Sequence, residues 1–312
     1  MPEAGDAHGA RIIVVGSLMM DLVVRAPRLP AIGESLFGHD FATFTGGKGA
    51  NHALAAARLG AEQVSMIGRT GDDEFGRRIV EALESEGVDC RGVIRDRRHG
   101  TGVAIPIVFD DGRNSIISIP QANLALSAAD IRAMAELVTS ADMLLVQFEV
   151  GLEATAEAVR VARDAGVPVL LNAAPIGLHA MDVVLAASHL VANEVEAAAL
   201  APAAHGDHVQ EVRLLLGERE GSVAVTLGEE GALVGSRSGI QFVAPFQVHA
   251  VDSVGAGDAF CAAYAIALAS GRDAVSAARF ASAAGALAVT KAGAQAALPT
   301  REAVDALLRD SP

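Results

Sequence analysis

The sequence predicts an α/β fold, a doubly wound and mainly parallel sheet with helices on both faces, together with a small β-sheet lid. From about residue 127 onward, short aliphatic runs alternate with helical segments, and crossovers of this kind produce parallel strands. Hydrophobic residues make up 51% of the chain but aromatic residues only 4%, as expected of buried parallel strands built from aliphatic side chains. Two regions with hairpin signals, about 22–46 and 98–120, predict the lid.

The predicted elements follow one another along the chain. Residues 11–16 are a β-branched apolar run that ends in glycine, and they predict the first buried strand. Residues 21–45 are rich in Pro and Gly and contain short alternating pieces such as 35–38, which predict hairpin strands leaving the main body. The predicted lid strands 101–109 and 115–119 flank a turn at 110–113. Further strands are predicted to begin at Val64, Met143, Val167, Leu190 and Ser222, and helices are predicted over 51–59, 73–86, 127–138, 151–165, 208–216, 257–269, 273–291 and 300–309 and from Glu194 onward.

Composition narrows the class of protein. The formal net charge is −14, which argues against nucleic acid or an anionic membrane as a partner, because phosphate binding requires clustered Lys and Arg. No apolar run reaches the ~18 residues of a membrane span. Residues 1–10 are small and acidic, unlike a signal peptide, so we expect a flexible tail on a cytoplasmic protein whose single domain covers 11–312.

A carboxylate lies beside two glycines at the start of a predicted apolar helix, in the turn Gly255-Ala256-Gly257-Asp258. Free N–H groups at a helix start form an anion site. The carboxylate could accept a proton from a hydroxyl while these N–H groups stabilise a transferring phosphoryl group. Taken alone, the turn favours an aspartate that only caps the helix or lies in its first turn.

A second glycine-rich turn, Gly46-Gly47-Lys48-Gly49-Ala50-Asn51, precedes another predicted helix. It lacks the spacing of a P-loop. Its glycines would let a ligand approach the backbone closely, and Lys48 and Asn51 would supply donors. The alternative is a flexible loop with a solvated lysine.

Two more candidate sites follow predicted buried strands, where ligands of parallel sheets bind. Asn193 and Glu196 could organise water around Mg²⁺, which takes few protein ligands, or they could simply complement the helix dipole. The segment from Thr226 to Gly231 could border a nucleotide site or form a plain hairpin.

Together these motifs resemble the ribokinase branch of the PfkB carbohydrate kinase family over about residues 11–310. The resemblance rests on the glycine-rich turn 46–51, on Asn193 and Glu196, and on the segment 252–260, which matches the pattern D-[ST]-x-G-A-G-D-x-F. Residues 101–104 resemble a lid strand of the family, and 288–295 resemble the segment near its monovalent-cation site. Both glycine-containing signatures occurring in the right order make the resemblance specific.

The resemblance implies an ATP-dependent kinase that phosphorylates the terminal hydroxyl of a pentose, D-ribose first. Asp258 would be the general base, and the N–H groups of Ala256, Gly257 and Asp258, in the turn that begins at Gly255, would form the anion hole. The residues lining the sugar pocket would be Asp21, Gly47, Lys48, Asn51 and Glu149, with Met19 beside them. ATP would contact Asn193, Thr226, Gly228, Gly231, Gly257 and Ser282. Glu196 would hold Mg²⁺ through water, and K⁺ would be held by Asp252, Val254, Ala288, Lys291 and Gly293.

Three positions depart from the family pattern. Met19 stands where an asparagine is expected to bond the sugar, and methionine offers no donor, so we expect altered selectivity at one sugar position and consider 2-deoxyribose a serious candidate. A core-facing Met19, or a water that replaces the asparagine, is the alternative. Gln121 replaces the glycine expected before Ala-Asn, and the segment looks one residue short, so the lid could be reshaped. Ala297 lies where a serine often helps to bind K⁺.

Other functions remain open at this point. A nucleoside, fructose or sugar-acid kinase would share the signatures, although the low aromatic content argues against nucleosides. A dinucleotide-binding oxidoreductase would need G-x-G-x-x-G after the first strand, which residues 16–19 do not provide. A non-catalytic sugar sensor would be expected to lack the base, yet Asp258 is present. The lid exposes strand edges, which predicts a homodimer formed through the lid.

Overall fold

Two sheets organise the part of the chain that the structure, a computed structural model, describes: residues 9–111, 113–175 and 181–311. Residues 1–8 of the predicted tail and Gly112 of the predicted lid turn lie outside the described residues. The described strands are β1 Arg11–Val15, β2 Met19–Ala26, β3 Asp40–Gly46, β4 Gln63–Gly71, β5 Asp89–Asp96, β6 Gly102–Phe109, β7 Asn114–Ile119, β8 Met143–Val146, β9 Val169–Asn172, β10 His189–Asn193, β11 Ser222–Thr226, β12 Ala232–Ser236 and β13 Gly239–Val243.

The larger sheet has the strand order β13-β12-β11-β10-β9-β8-β1-β4-β5. Its strands are parallel except for β12 and β13, which continue from β11 as antiparallel neighbours. From β1 the chain builds the sheet towards β5 and then returns to β8 on the other side, so the order reverses between β1 and β8. Ligands of open α/β sheets bind at such a switch point, beyond the carboxyl ends of the strands.

Helices cover both faces of this sheet. They are α1 Lys48–Arg58, α2 Glu74–Ser85, α3 Ala128–Ala133, α4 Ala135–Thr139, α5 Leu152–Asp164, α6 Met181–Ala186, α7 Glu194–Leu200, α8 His208–Leu216, α9 Ala256–Ala269, α10 Ala274–Ala288, α11 Ala294–Ala297 and α12 Arg301–Asp310. Alternate residues of β1 enter two separate cores, Ile12 and Val14 on the side of α1 and α9, and Ile13 and Val15 on the side of α5. This alternation follows from the two-residue period of a strand and confirms the doubly wound prediction.

The smaller sheet confirms the predicted lid. Its order is β3-β2-β6-β7, so the two hairpin regions pair with each other through the parallel strands β2 and β6. Residues 35–38 were expected to contribute strand, but they form an irregular connection between β2 and β3. That prediction was wrong because the prolines and glycines of the connection leave too few consecutive residues to pair.

Several elements were not predicted. The strands β5, β12 and β13 and the helix α6 lie in segments without strong periodicity, and the predicted helix 127–138 is interrupted at Met134. Helix α1 begins at Lys48 rather than at Asn51, which brings both residues into its first turn. Within the described residues, no helix combines the length and apolar character needed to cross a bilayer.

Candidate active site

The site lies at the switch point, where the first turns of α1 and α9 meet. Gly255 precedes α9 with φ 84, and a Cβ there would lie 3.1 Å from Ala294 Cα, so the tight approach to this segment requires glycine. A Cβ on Gly257 would meet nothing within 4 Å. The helix start therefore presents open space on the side of Gly257, where a ligand could approach the backbone.

The first amides of α9 fit an anion. Helix geometry leaves the N–H groups of the first turn without intrahelical acceptors. The N–H of Ala256 donates to Ser253 O at 3.3 Å, whereas those of Gly257 and Asp258 have no acceptor outside the helix among the described residues. These N–H groups and the positive end of the helix dipole suit a phosphate.

Three side chains of α1 surround the Asp258 carboxylate, which is only 7% exposed. Asn51 Nδ2 donates to Oδ2 at 2.7 Å, His52 Nε2 lies 3.3 Å from Oδ1, and Lys48 Nζ lies 3.8 Å from Oδ1. Positions 48, 51 and 52 are spaced i, i+3 and i+4, so they share one face of the helix. One helix face thus holds the candidate base.

These neighbours determine the charge of Asp258. Burial alone would raise its pKa, but the charge of Lys48 and the hydrogen bonds from His52 and Asn51 outweigh it and hold the pKa well below its usual range. Burial would conversely lower the pKa of Lys48, yet the carboxylates of Asp258 and Glu149 raise it. The pair is therefore a charged one, and Asp258 is ionised and able to accept a proton.

Glu149 caps the start of α1. Its Oε2 accepts from the backbone N–H of Lys48 at 3.0 Å and from Ser17 Oγ, which also accepts from the N–H of Gly49 at 3.4 Å. The predicted pocket residue Glu149 is thus present at the site, in a position that also fixes the orientation of Lys48.

Asp21 lies on β2 next to this carboxylate pair. Burial is the main cause that raises its pKa to about 6, and the negative charges of Glu149 and Asp258 add to the shift. Met19, two residues earlier on the same face of β2, is 4% exposed. The site therefore places an apolar side chain beside a carboxyl group whose pKa is raised to about 6.

The glycines before α1 serve protein packing. A Cβ on Gly46 would lie 2.5 Å from Asp21 Oδ2, and one on Gly47, whose φ is 89, would lie 2.9 Å from Met19 N. The expected close approach at these positions is thus made by the chain's own atoms, which bring β2 and α1 together.

Asn193 and Glu196 occupy a second strand end. Asn193 Oδ1 accepts from the N–H of Glu196 at 2.8 Å, and Glu196 Oε2 accepts from the N–H of Asn193 at 2.9 Å, a capping box at the start of α7. Thr226 is the direct neighbour of Asn193 on the adjacent strand. Among the described residues, no group of three or more His, Cys, Asp or Glu side chains could hold a metal ion, so a magnesium site here would depend on phosphate and water oxygens.

The remaining nucleotide-side residues differ in their surroundings. Gly228, with φ 55, has open space where a Cβ would point, whereas a Cβ on Gly231 would lie 2.4 Å from Val243 O. Gly231 therefore serves the pairing of the hairpin β11–β13, and Gly228 faces an open region. Ser282 is half-buried within α10.

The two loops of the predicted cation site, which contain Asp252 and Gly293, are joined by a hydrogen bond to the Asp252 carboxylate. Asp252 Oδ1 accepts from Val254 N at 3.0 Å, and its Oδ2 accepts from Gly293 N at 2.8 Å. Ala288 ends α10, so its carbonyl is among those left without an intrahelical donor. Lys291 is exposed in the same loop. Carbonyls and one oriented carboxylate are the donor set that a hard cation prefers.

Gln121 keeps a turn that usually requires glycine. Its φ is 46, and its Nε2 donates to Thr101 O at 2.7 Å. The next polar residue, Asn123, accepts from the N–H of Leu18 and donates to its carbonyl, both at 2.9 Å. Gln121 therefore forms a left-handed turn, and Asn123 two residues later links the segment after β7 of the lid to the connection between β1 and β2.

Sequence reasoning missed four polar residues at the site: Ser17, His52, Gln147 and Gln295. Gln295 Nε2 donates to Asn51 Oδ1 at 3.1 Å, and its Oε1 accepts from Thr45 Oγ1. Gln147 Nε2 lies 3.3 Å from His52 Nδ1. Only His52 carried a usable signal, namely its i+4 spacing from Lys48.

The fold and the site define a phosphotransferase for a small molecule, with an ionised carboxylate beside an anion-ready helix start. The model of the pfkB family of carbohydrate kinases matches residues 10–301, and the chain belongs to this family.

Individual relatives agree with this membership. The chain is 38% identical to a ribokinase of Bacillus subtilis over 299 residues, which is 95% of this chain and 99% of that one. It is 36% identical to a deoxyribokinase of Salmonella typhimurium over 296 residues, 93% of this chain and 96% of that one. An Arabidopsis thaliana ribokinase, solved in complex with ribose and ATP, superposes with a TM-score of 0.88 at 30% identity and covers 97% of this chain and 99% of its own.

The raised pKa of Asp21 predicts how stability depends on pH. An aspartate that ionises near pH 6 when folded but near 3.9 when unfolded costs stability as pH rises from about 4 to about 6, since the folded state then binds more protons. Asp21→Asn should therefore raise the free energy of unfolding above pH 7 by roughly 2–3 kcal/mol and leave it unchanged near pH 4. Denaturant melts at both pH values measure this, with the exposed Asp40→Asn as a control; equal effects at both pH values would contradict it.

Proposed function

We propose that the chain transfers the γ-phosphoryl group of ATP to the terminal hydroxyl of a pentose, with D-ribose as the first candidate and ribose 5-phosphate as the product. The observation that carries the proposal is the buried Asp258 carboxylate, held ionised beside the open N-terminus of α9. The relatives named ribokinase, and the one named as complexed with ribose and ATP, support the choice of substrates.

In the proposed reaction, Asp258 accepts the proton of the sugar's primary hydroxyl. The hydroxyl oxygen forms a bond to the γ-phosphorus as the bond from that phosphorus to the β-γ bridging oxygen breaks, and ADP leaves with its negative charge. The N–H groups of Gly257 and Asp258, joined by that of Ala256 once it leaves Ser253 O, would stabilise the charge on the transferring group. Asp21, Lys48 and Asn51, which lie around the same carboxylate, would orient the sugar.

On the nucleotide side, we propose that ATP lies along the ends of β10 and β11, near Asn193 and Thr226. The adjacent pairing of these two residues and the open space at Gly228 and Gly257 fit a ligand with a long phosphate chain. Mg²⁺ would neutralise phosphate charge, and Glu196 would hold its water shell, because the capping bond uses Oε2 and leaves Oε1 available.

A potassium site is proposed between the loops that contain Asp252 and Gly293. Its donors would be the Asp252 carboxylate and the carbonyls of Val254, Ala288, Lys291 and Gly293. The two N–H groups that hold Asp252 support a pre-formed carboxylate. Ala297, buried with an apolar side chain, cannot add a hydroxyl, so we expect weaker cation activation than a serine at that position would give.

A second substrate, 2-deoxyribose, is supported by Met19. Its side chain shares the face of Asp21 and is buried, where it offers no hydrogen-bond donor to a sugar hydroxyl. The 36% identity to a protein named deoxyribokinase is consistent with this alternative.

The lid also suggests the oligomeric state. It presents Phe44 and Ile116 on one face and Phe41 and Ile117 on the other, with about half or more of each side chain exposed, and exposed apolar side chains of this size are typical of an interface. We propose a cytoplasmic homodimer in which two lids pack together.

Asp258→Asn should reduce ADP release in the presence of ribose by at least about 10²-fold, because an amide cannot take the hydroxyl proton. A coupled ADP assay over a sugar panel, with and without K⁺, measures this, and Asp305→Asn, a helix residue away from the site, is the control. Full activity in the Asp258 variant would overturn the mechanism.

The parent should prefer ribose over 2-deoxyribose by less than about 10-fold in kcat/KM, and Met19→Asn should raise that preference by roughly 10- to 100-fold, since it adds a partner for one hydroxyl. Kinetics with both sugars test this, and Met20→Leu, on the opposite face of β2, is the matched control. A strong ribose preference in the parent would exclude the alternative.

For the dimer, sedimentation velocity should give a mass near twice 31.8 kDa for the parent, and Ile117→Glu should dissociate it, because a charge cannot be buried unpaired at an apolar interface. The control is Val209→Glu, on α8 away from the lid. A monomeric parent would refute this part of the proposal.

A further inference from the structure

His52 is a histidine fully enclosed in protein directly behind the candidate base. Its side chain has no exposed area, and its Nε2 lies 3.3 Å from Asp258 Oδ1. This approach is within ion-pair distance, but Nε2 has no hydrogen-bond partner of standard geometry among the described residues. Because it is buried, His52 cannot touch a sugar in the pocket, so it can influence the reaction only through its neighbours, of which Asp258 is one.

Gln147 lies on the other side of the imidazole ring. It follows β8 directly, is fully buried, and places Nε2 3.3 Å from His52 Nδ1. Gly16, at the end of the adjacent strand β1, makes room for it, since a Cβ there would lie 2.3 Å from Gln147 Oε1. That oxygen has no partner among the described residues. The amide is therefore committed to the histidine alone.

The direction of these contacts fixes the tautomer. In the orientation that the Gln147 amide has in the structure, its Nε2 faces Nδ1 of His52; an amide nitrogen can only donate, so Nδ1 accepts and carries no proton. The ring proton then lies on Nε2, which is 3.3 Å from an oxygen of the ionised Asp258 carboxylate. The orientation of the His52 ring also matches the charges around it. Its Nε2 is on the side of the negative Asp258 carboxylate, and its Nδ1 is on the side of the uncharged Gln147 amide.

We propose that Gln147 and His52 form a positioning relay for the base, in which Gln147 holds His52 as the neutral Nε2–H tautomer and this N–H fixes Oδ1 of Asp258 so that Oδ2 is presented to the sugar hydroxyl. The inference rests on the proposed function only in taking Asp258 as the base. His52 and Gln147 are positioning residues, since neither reaches the substrate.

The relay works among several charged and titratable neighbours. Lys48 and Asn51 approach Asp258 from α1, Asp21 faces it from β2, and Cys261 lies one turn further along α9. Lys48 supplies the charge, but a long flexible ammonium side chain 3.8 Å away does not define the direction of the carboxylate. Asn51 holds Oδ2 through its hydrogen bond, and in the proposal the rigid ring of His52 completes the orientation from the side of Oδ1. Correct orientation of a base is a large part of its efficiency.

The tautomer can be measured without substrate. In ¹⁵N-labelled full-length protein, long-range ¹H–¹⁵N spectra near pH 7.5 should show His52, assigned by its loss in His52→Gln, with a protonated Nε2 and an unprotonated Nδ1. In Gln147→Met, which keeps the size but removes the donor, a mixture of tautomers is expected. A His52 protonated at Nδ1 in the parent would overturn the relay.

Kinetics test whether the relay matters to the reaction. His52→Leu should lower kcat by about 10- to 100-fold with KM for ribose and for ATP changed less than about 3-fold, because only the base is misoriented. His52→Gln, whose amide can still donate to Asp258, should recover kcat to within about 5-fold of the parent. Should His52→Leu fail to fold, the Gln147→Met and His52→Gln variants carry the same comparison.

A double-mutant cycle separates the relay from simple packing. Gln147→Met should lower kcat in the parent but have little further effect in His52→Leu, since its influence passes through the histidine. Additive losses, or a His52→Leu enzyme with unchanged kcat, would refute the proposal. If Asp258→Asn is inactive while His52→Leu is fully active, only the relay fails; if Asp258→Asn is active, the proposed function itself fails.

Discussion

The buried carboxylate of Asp258 is the constraint around which the rest of the site is arranged. Removing a carboxylate from water is costly unless donors and an opposite charge replace the water. Here one face of α1 supplies all of these, through Lys48, Asn51 and His52. Because Asp258 needs these three side chains, α1 has to begin at Lys48. Glu149 stabilises this helix start by accepting a hydrogen bond from the N–H of Lys48.

The same pocket contains more negative than positive charge, so the phosphoryl group has to be bound by other means than clustered cationic side chains. Asp21, Glu149 and Asp258 face a single lysine, and the negative charges of Glu149 and Asp258 add to the burial that raises the pKa of Asp21. The phosphoryl side is supplied with backbone N–H groups at the start of α9 instead of arginines. An anion site made of amides adds no full positive charge, so it can lie beside the acidic residues without neutralising the base.

The sequence was sufficient for the features that depend on local patterns. Alternation of apolar strands and helices predicted the parallel sheet, and the two glycine turns predicted that a helix follows each of them, although α1 begins at Lys48 and not at the predicted Asn51. Elements such as β5, with charged residues at Arg91 and Arg95, lack a clear period because they lie at the sheet edge. The polar side-chain pairs of the site could not be predicted from local patterns, because their members are far apart in sequence. Gln147 is 95 residues from His52, and Gln295 is 244 from Asn51, so only the folded topology brings them together.

Asn51 connects the base to two distant parts of the molecule. Its Nδ2 donates to Asp258, while its Oδ1 accepts from Gln295, whose own Oε1 accepts from Thr45 near the end of lid strand β3. A sugar hydroxyl that approaches Asp258 Oδ2 competes with Asn51 for the lone pairs of that oxygen. Any turn of the Asn51 amide then alters the bond to Gln295, which lies two residues beyond Gly293. Substrate, lid and the loop that ends at Gly293 therefore act on the same carboxylate through one short series of hydrogen bonds.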